Sequence, residues 1–291
     1  MRIEAHDGEA TRLLRAMTLA NFEGRVDDAL AWVEALADEL PFEICPWIHV
    51  TAMIDTLIMA GRYREALALP DHWSAASRAR GAARQPEAYV LARVNACEAL
   101  YNLGRVDEAA ALVADLHFEC DRERSPAVRA GVRVQQAWIA ALAGRARDAL
   151  ELTHDARALP VTYRAELAYT RALSWSLLGE HARARSEALR GFRRSVRVSS
   201  FRNGHYLLGV LAHRAGEHVR ALPHFEVGAM HPYRGQGGSA LLCYGDTLRA
   251  LGREREARAA YALVIARDPQ GAACRDASAR ISHLADASAA A

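Results

Sequence analysis

The residues able to carry chemistry are few, and their spacing argues against most catalytic uses. Five histidines, His205, His213, His218, His224 and His231, fall in one stretch. His213 and His218 are five apart across a glycine, which is not the i, i+4 spacing of a helical metal pair, and HExxH does not occur, so no metal site is expected. The cysteines, Cys45, Cys97, Cys120, Cys243 and Cys274, are odd in number and include no CxxC pair. They suggest neither a disulfide framework nor a zinc knuckle, and reduced thiols in a cytoplasmic protein are the expectation. GxSxG is absent, and no Ser or Cys has a recognisable base nearby in sequence. HPYRGQGG, residues 231–238, has glycines but matches neither phosphate-binding fingerprint and follows no strand, so it reads as a flexible joint. A basic run, Arg183, Arg185, Arg190, Arg193, Arg194, Arg197 and Arg202 against Glu187, is either a solvated helix face or a surface for phosphate or an acidic partner. No catalytic residue, metal ligand or cofactor is expected.

Composition narrows the class further. The 291 residues are 51% hydrophobic at a mean hydropathy of -0.11, which suits a folded, soluble chain. All 37 basic residues are Arg, and 35 acids leave a net charge of +2, too balanced for general nucleic-acid binding. The absence of Lys, beside much Ala, fits a GC-rich coding sequence. Glu4, Asp7 and Glu9 precede any apolar run, which is wrong for a signal peptide, and no apolar run approaches the ~18 residues of a membrane span. Residues 1–40 hold nine acids and four Arg, a net of -5. Paired with the distal Arg run, that asymmetry allows weak head-to-tail association, so a monomer or weak homo-oligomer is expected.

The elements that must position these residues come from an internal repeat. Gly24, Gly61, Gly104, Gly144, Gly179, Gly216 and Gly252 recur at spacings of 37, 43, 40, 35, 37 and 36. Each is followed five residues later by Ala: Ala29, Ala66, Ala109, Ala149, Ala184, Ala221 and Ala257. Apolar stripes at helical spacing flank each glycine, as in Leu241, Tyr244, Leu248 and Leu251 before Gly252 and Ala257, Tyr261, Val264 and Ile265 after it. Gly245 and Ala257 fall where the two helices cross. The glycine ends the first helix in a left-handed conformation, and prolines mark the junctions between units at Pro41, Pro46, Pro86, Pro126, Pro160, Pro232 and Pro269. The units are about 10–41, 46–85, 87–122, 126–159, 161–197, 201–232 and 238–269, with a capping helix over about 272–286 through Ala273, Ala277, Ile281 and Leu284. Pro70 is expected to interrupt the second helix of the second unit, leaving 72–85 as a short helix or loop. Pro223 is expected near the start of the sixth unit's second helix, with little backbone bonding to lose.

This pattern resembles the tetratricopeptide repeat: a small residue seven before the turn glycine, Ala five after it, an aromatic nine after it (Phe225, Tyr261) and Pro seventeen after it (Pro269). The other units carry Val33, Pro70, Val113, Thr153 and Ala188 at the aromatic position. The resemblance implies an all-α, right-handed superhelical solenoid of stacked antiparallel hairpins, whose first helices line a concave groove. By register the groove residues are Asp55, Glu98, Tyr101, Trp138, Glu166, Tyr169, Tyr206, His213, Asp246 and Arg249. Thr18, Asn21, Thr51, Val94, Val134, Leu173, Asn203, Val210 and Leu242 share that face. Rings beside carboxylates suit a peptide or partner-protein segment of basic or amphipathic character. The implied function is a non-catalytic scaffold or adaptor. The alternatives are a sensor domain answering to a peptide or small molecule, and an enzyme on a helical-repeat scaffold. Some members grip a terminal carboxylate with Lys and Asn residues; this chain has no Lys, and Asn95 and Asn203 are isolated within that pattern, so that mode is not expected.

Overall fold

The computed structural model describes residues 15, 16, 19, 25–39, 46–79, 86–122, 126–154, 163–195, 198–229 and 234–290. Thr18, Asn21, Gly24, Pro41, Pro160, Arg197 and Pro232 lie outside the described residues. Fourteen helices occur among those described, and no strand. α1 (Val26–Glu39) precedes five hairpins and a sixth that ends in the cap. These are α2 (Pro46–Met59) with α3 (Tyr63–Ala79), α4 (Pro86–Asn102) with α5 (Val106–Arg122), and α6 (Pro126–Leu142) with the short α7 (Ala146–Leu152). Then come α8 (Arg164–Leu177) with α9 (His181–Arg194), α10 (Val198–Arg214) with α11 (His218–Ala229), and α12 (Arg234–Ala250) with α13 (Glu254–Arg267). α14 (Ala272–Ala290) closes the chain.

The same local device makes the bend inside each of the six hairpins. Gly61, Gly104, Gly144, Gly179, Gly216 and Gly252 sit at φ between 74° and 79°, where an L side chain is strained. The glycine N–H donates to the carbonyl three residues back, and the next N–H to the carbonyl five back: Gly61 to Ile58 at 3.0 Å, Arg62 to Leu57 at 2.8 Å. That is the Schellman closure, and it satisfies carbonyls the helix end would leave open. The alanine five residues on is fully buried at all seven positions, because the paired helices cross there. At Gly209 and Gly245 the reason is visible at atomic scale: a Cβ would lie 2.8 Å from the Phe225 ring and 2.4 Å from the Tyr261 ring. Sequence inspection missed a third regularity. The residue after each glycine pairs with one three further on: Arg25–Asp28, Arg62–Glu65, Arg105–Glu108, Arg145–Asp148, Glu180–Arg183, Glu217–Arg220 and Arg253–Glu256. These pairs are exposed and screened, so they keep the turns in water rather than hold the core.

No hairpin buries its apolar face alone. One core cluster runs from Val90, Val94 and Leu100 of α4 through Val113 and Leu116 of α5 to Val128, Val132 and Ile139 of the next hairpin. This nearest-neighbour burial defines a solenoid. The first helices of successive hairpins also touch one another, α2 with α4, α4 with α6, α6 with α8, α8 with α10 and α10 with α12. The second helices make no comparable contact with each other among the described residues, so the first helices form the inside of the curve. The curve is tight enough that α12 reaches back to α2.

Three expectations need correction. Pro70 does not break its helix: α3 runs through it, and Pro70 and Trp73 are both buried there. Burial of that face outweighs the lost i→i−4 bond. Pro223 is the sixth residue of α11, inside the helix rather than in its first turn, and the carbonyl it leaves free belongs to Val219, which is 72% exposed. The glycine-rich joint is helical from Arg234, so Gly235, Gly237 and Gly238 belong to α12. Gly238 is there for space, since a Cβ would come 2.7 Å from Asp268 Oδ2.

Candidate functional site

The inner face is built from the first helices. Asp55 on α2 is half-buried and accepts a 3.1 Å bond from Asn95 Nδ2 of α4. On α4, Tyr101 is partly accessible while its hydroxyl sits deep, beside Glu98 and within reach of the Trp138 indole N–H of α6. Burial first, then the Glu98 charge, hold the Tyr101 phenol well above its ordinary pKa. Glu98, Tyr101 and Trp138 are therefore one group spanning two hairpins. Thr51, Glu166, Leu173 and Val210 are half-buried, Asn203 is exposed, and Val94, Val134 and Leu242 are buried in the core.

Tyr169 is a correction. It is 3% exposed, with its ring over Gly191 and its hydroxyl against Gly204, where a Cβ would lie 2.5 Å and 2.6 Å away. Its hydroxyl lies 2.6 Å from Ser195 Oγ, and burial pushes it up to about 12. Register alone pointed it inward, but the two glycines open a slot that swallows it. It is a core residue with no face for a partner.

Tyr206 is half-buried with its hydroxyl at the Cys243 thiol and its ring 6.3 Å from Phe225. The Cys243 charge, then burial, raise the phenol, while burial and then Asp246 push the Cys243 thiol to about 11. Cys97 is pushed to about 12 by burial. Neither thiol is a nucleophile near neutral pH.

Three expected residues converge. His213, Asp246 and Arg249, with His218 and Ala250, line an open cleft of about 410 Å³ between the sixth and seventh units. The His213 and His218 rings are 4.9 Å apart. Thr247 Oγ1 donates to the Cys243 carbonyl at 2.7 Å, so at its 2.9 Å contact with His213 it accepts, and His213 Nδ1 carries the proton. Burial, then His218, hold His213 below its ordinary pKa, against the opposite pull of Asp246. Both oxygens of Asp246 are engaged, by Arg280 of the cap and the Tyr261 hydroxyl. The charge argument for a basic ligand therefore fails at Asp246, whose charge Arg280 meets, whereas the Asn95 amide that bonds Asp55 carries no charge. Among the described residues no group of three His, Cys, Asp or Glu is placed to hold a metal.

Sequence reading missed what closes the curve. Arg275 NH2 of α14 donates to the Leu103 carbonyl at 2.8 Å, across 172 residues. The Tyr63 hydroxyl is buried facing the Asp268 carboxyl without reaching hydrogen-bond geometry. Asp268 Oδ1 accepts from the Gly271 N–H at 3.0 Å, yet burial raises this carboxyl to about 6. A second missed feature is His205 and His224, whose Nδ1 atoms lie 3.0 Å apart beside Phe192 and Phe201. Burial depresses both imidazoles. Of the basic run, Arg183 stacks on Trp175 at 4.9 Å, Arg190 pairs with Glu187 at 2.7 Å, and Arg185, Arg193 and Arg194 face solvent. No helix among the described residues is long and apolar enough to cross a membrane.

No family model matches the sequence, and no curated protein matches it. Solved structures do match the fold. In the APC/C hetero-tetramer Cut9-Hcn1 the similarity covers 97% of this chain and 52% of that one, at 14% identity and a TM-score of 0.59. This chain thus spans about half the length of that relative. In the Rap protein complexed with Competence and Sporulation Factor it covers 91% of this chain and 77% of that one, at 11% identity and a TM-score of 0.59. Identities this low speak for architecture alone. With the left-handed glycine turns, the buried alanines and the Gly–aromatic crossings of its hairpins, the chain has the tetratricopeptide-repeat fold.

Proposed function

We propose that this chain is a non-catalytic scaffold that binds a peptide or partner-protein segment on its inner face. The observation that carries this reading is the joined group of Glu98, Tyr101 and Trp138, a partly accessible aromatic and polar surface fixed in place by two hairpins. Rigid rings on a pre-formed surface give contact area at low entropic cost. The structural relatives support it, one solved with Competence and Sporulation Factor and one as a Cut9-Hcn1 assembly. The raised Cys97 and Cys243 thiols argue against nucleophilic chemistry at those two positions. Panning a displayed peptide library on the immobilised chain tests it. Retained sequences should bind Trp138→Ala at least about tenfold more weakly, as for an interface hot spot. Equal binding by Trp138→Ala, with helicity unchanged, counts against this surface.

A second reading is favoured by the end-to-end contact of Arg275 with Leu103. On it, a ligand that favours or opposes the bond from the last helix to the third unit would shift the curvature. On this reading the chain is a sensor acting through another protein.

A further inference from the structure

The cleft between the sixth and seventh units holds charge that the fold leaves unused. Asp246 is the carboxylate in its lining, and it is neutralised: Arg280 Nε donates to Oδ1 at 2.6 Å, Arg280 NH2 to Oδ2 at 3.0 Å, and the Tyr261 hydroxyl to Oδ1 at 2.7 Å. Arg249 sits one turn along α12, exposed, and its side chain makes no hydrogen bond or ion pair among the described residues. Across the cleft, at the start of α11, His218 Nδ1 is shielded from solvent and has no hydrogen-bond partner among the described residues. A nitrogen closed to water is closed to a carboxylate oxygen of similar size, so His218 meets the cleft through the rest of its ring. Between them stands His213, its Nδ1 proton fixed on Thr247.

We propose that this cleft is a carboxylate subsite that takes an aspartate or glutamate side chain of the bound peptide; it rests on the scaffold reading above. The planar Arg249 fork pairs with both carboxylate oxygens, and the His213 and His218 rings wall the cleft beside it. Charge counting selects a carboxylate over a phosphate dianion. In the lining the Asp246–Arg280 pair sums to zero, which leaves Arg249 as the guanidinium that matches one negative charge; Arg214, whose charge also reaches His213, stands outside the lining against Ser176 Oγ. A second negative charge would face Asp246 without a cation to meet it. The size of about 410 Å³ suits a side chain and its flanking backbone, and His213, Asp246 and Arg249 place the cleft on the same inward register as Trp138.

The test uses the full chain and N-acetylglutamate α-amide as the probe, followed through the histidine imidazole NMR signals. Saturable shifts of His213 and His218, with His205 and His224 still, are expected. Arg249→Gln should weaken the probe by about tenfold or more, as expected for loss of a charge-assisted pair, and N-acetylglutamine amide should not bind. Absence of a saturable shift overturns the proposal, and so does equal binding by Arg249→Gln. Tighter binding of inorganic phosphate than of the probe overturns the choice of a carboxylate. Peptide panning then separates the two levels. Retained peptides should favour an acidic residue at one position, and lose that preference on Arg249→Gln. Peptides retained without that preference sink the subsite and leave the scaffold. A probe that binds, with no peptide of any sequence retained, sinks the scaffold and leaves the anion site.

Discussion

Asp268→Asn is the most informative single change to the closure. Asp268 lies between α13 and the cap, 2% exposed, in space left by Gly238 and Gly271. Burial raises its carboxyl from 3.8 to about 6, while the Tyr63 hydroxyl and the Gly271 N–H pull the other way and lose. A folded-state pKa above the unfolded one means that the fold holds the proton more tightly. The favourable contribution is complete below the unfolded pKa and disappears as pH rises through the folded pKa. At about 1.4 kcal/mol per unit, ionised Asp268 costs about 3 kcal/mol relative to its protonated form in the same place. Asparagine keeps the oxygen that accepts from Gly271 and cannot ionise. Asp268→Asn should therefore raise the unfolding free energy near neutral pH by up to about 3 kcal/mol, and flatten the fall in stability between about pH 4 and about pH 6.5. Urea unfolding across that range measures both. An unchanged pH slope refutes the argument, as does a variant less stable than the parent at neutral pH. The second outcome would mean that the ionised carboxylate is a net favourable acceptor for Tyr63. Tyr63→Phe is the companion: it removes a group that lowers the Asp268 pKa, so the midpoint should move to higher pH.

The other predictions test the closure and the core. Arg275→Ala removes the bond to the Leu103 carbonyl, worth about 1 kcal/mol, and should enlarge the radius of gyration by solution scattering with helicity unchanged; an identical radius would show that stacking alone sets the curvature. Gly104→Ala and Gly144→Ala both force a side chain to positive φ, costing about 1–2 kcal/mol. Only at Gly104 does the new methyl meet Arg275 at 2.9 Å and Ala272 at 3.0 Å, so thermal melts should show the larger loss there. Tyr169→Ala should cost about 3–5 kcal/mol in unfolding experiments, as for a buried aromatic; a loss near zero would return Tyr169 to the accessible surface.

How much of the site was legible depended on what each residue's partner was. The register that picked Tyr101, Trp138 and His213 also picked Tyr169, because all four stand at inward positions of a first helix. Tyr169 was lost to Gly191 on α9 and Gly204 on α10, which admit its ring. Those glycines were visible in the sequence, but their meeting with one tyrosine was not. Asp246 looked like a free carboxylate until Arg280, 34 residues later, took it. The Tyr63–Asp268 approach carried no sequence signal at all.

Everything set within one hairpin can be read from residue order alone. Glycine at each bend, alanine at each crossing and an aromatic facing Gly209 or Gly245 act over fewer than ~20 residues, and the helical period places them without knowledge of the rest. Tertiary structure decided what depends on summed rotation. A small angle added at each of six hairpins brings α12 back to α2, sets Arg275 on Leu103 and buries Asp268. No spacing in the chain encodes that angle, because it arises from side-chain packing between neighbours, and the contacts it creates join residues that share nothing local.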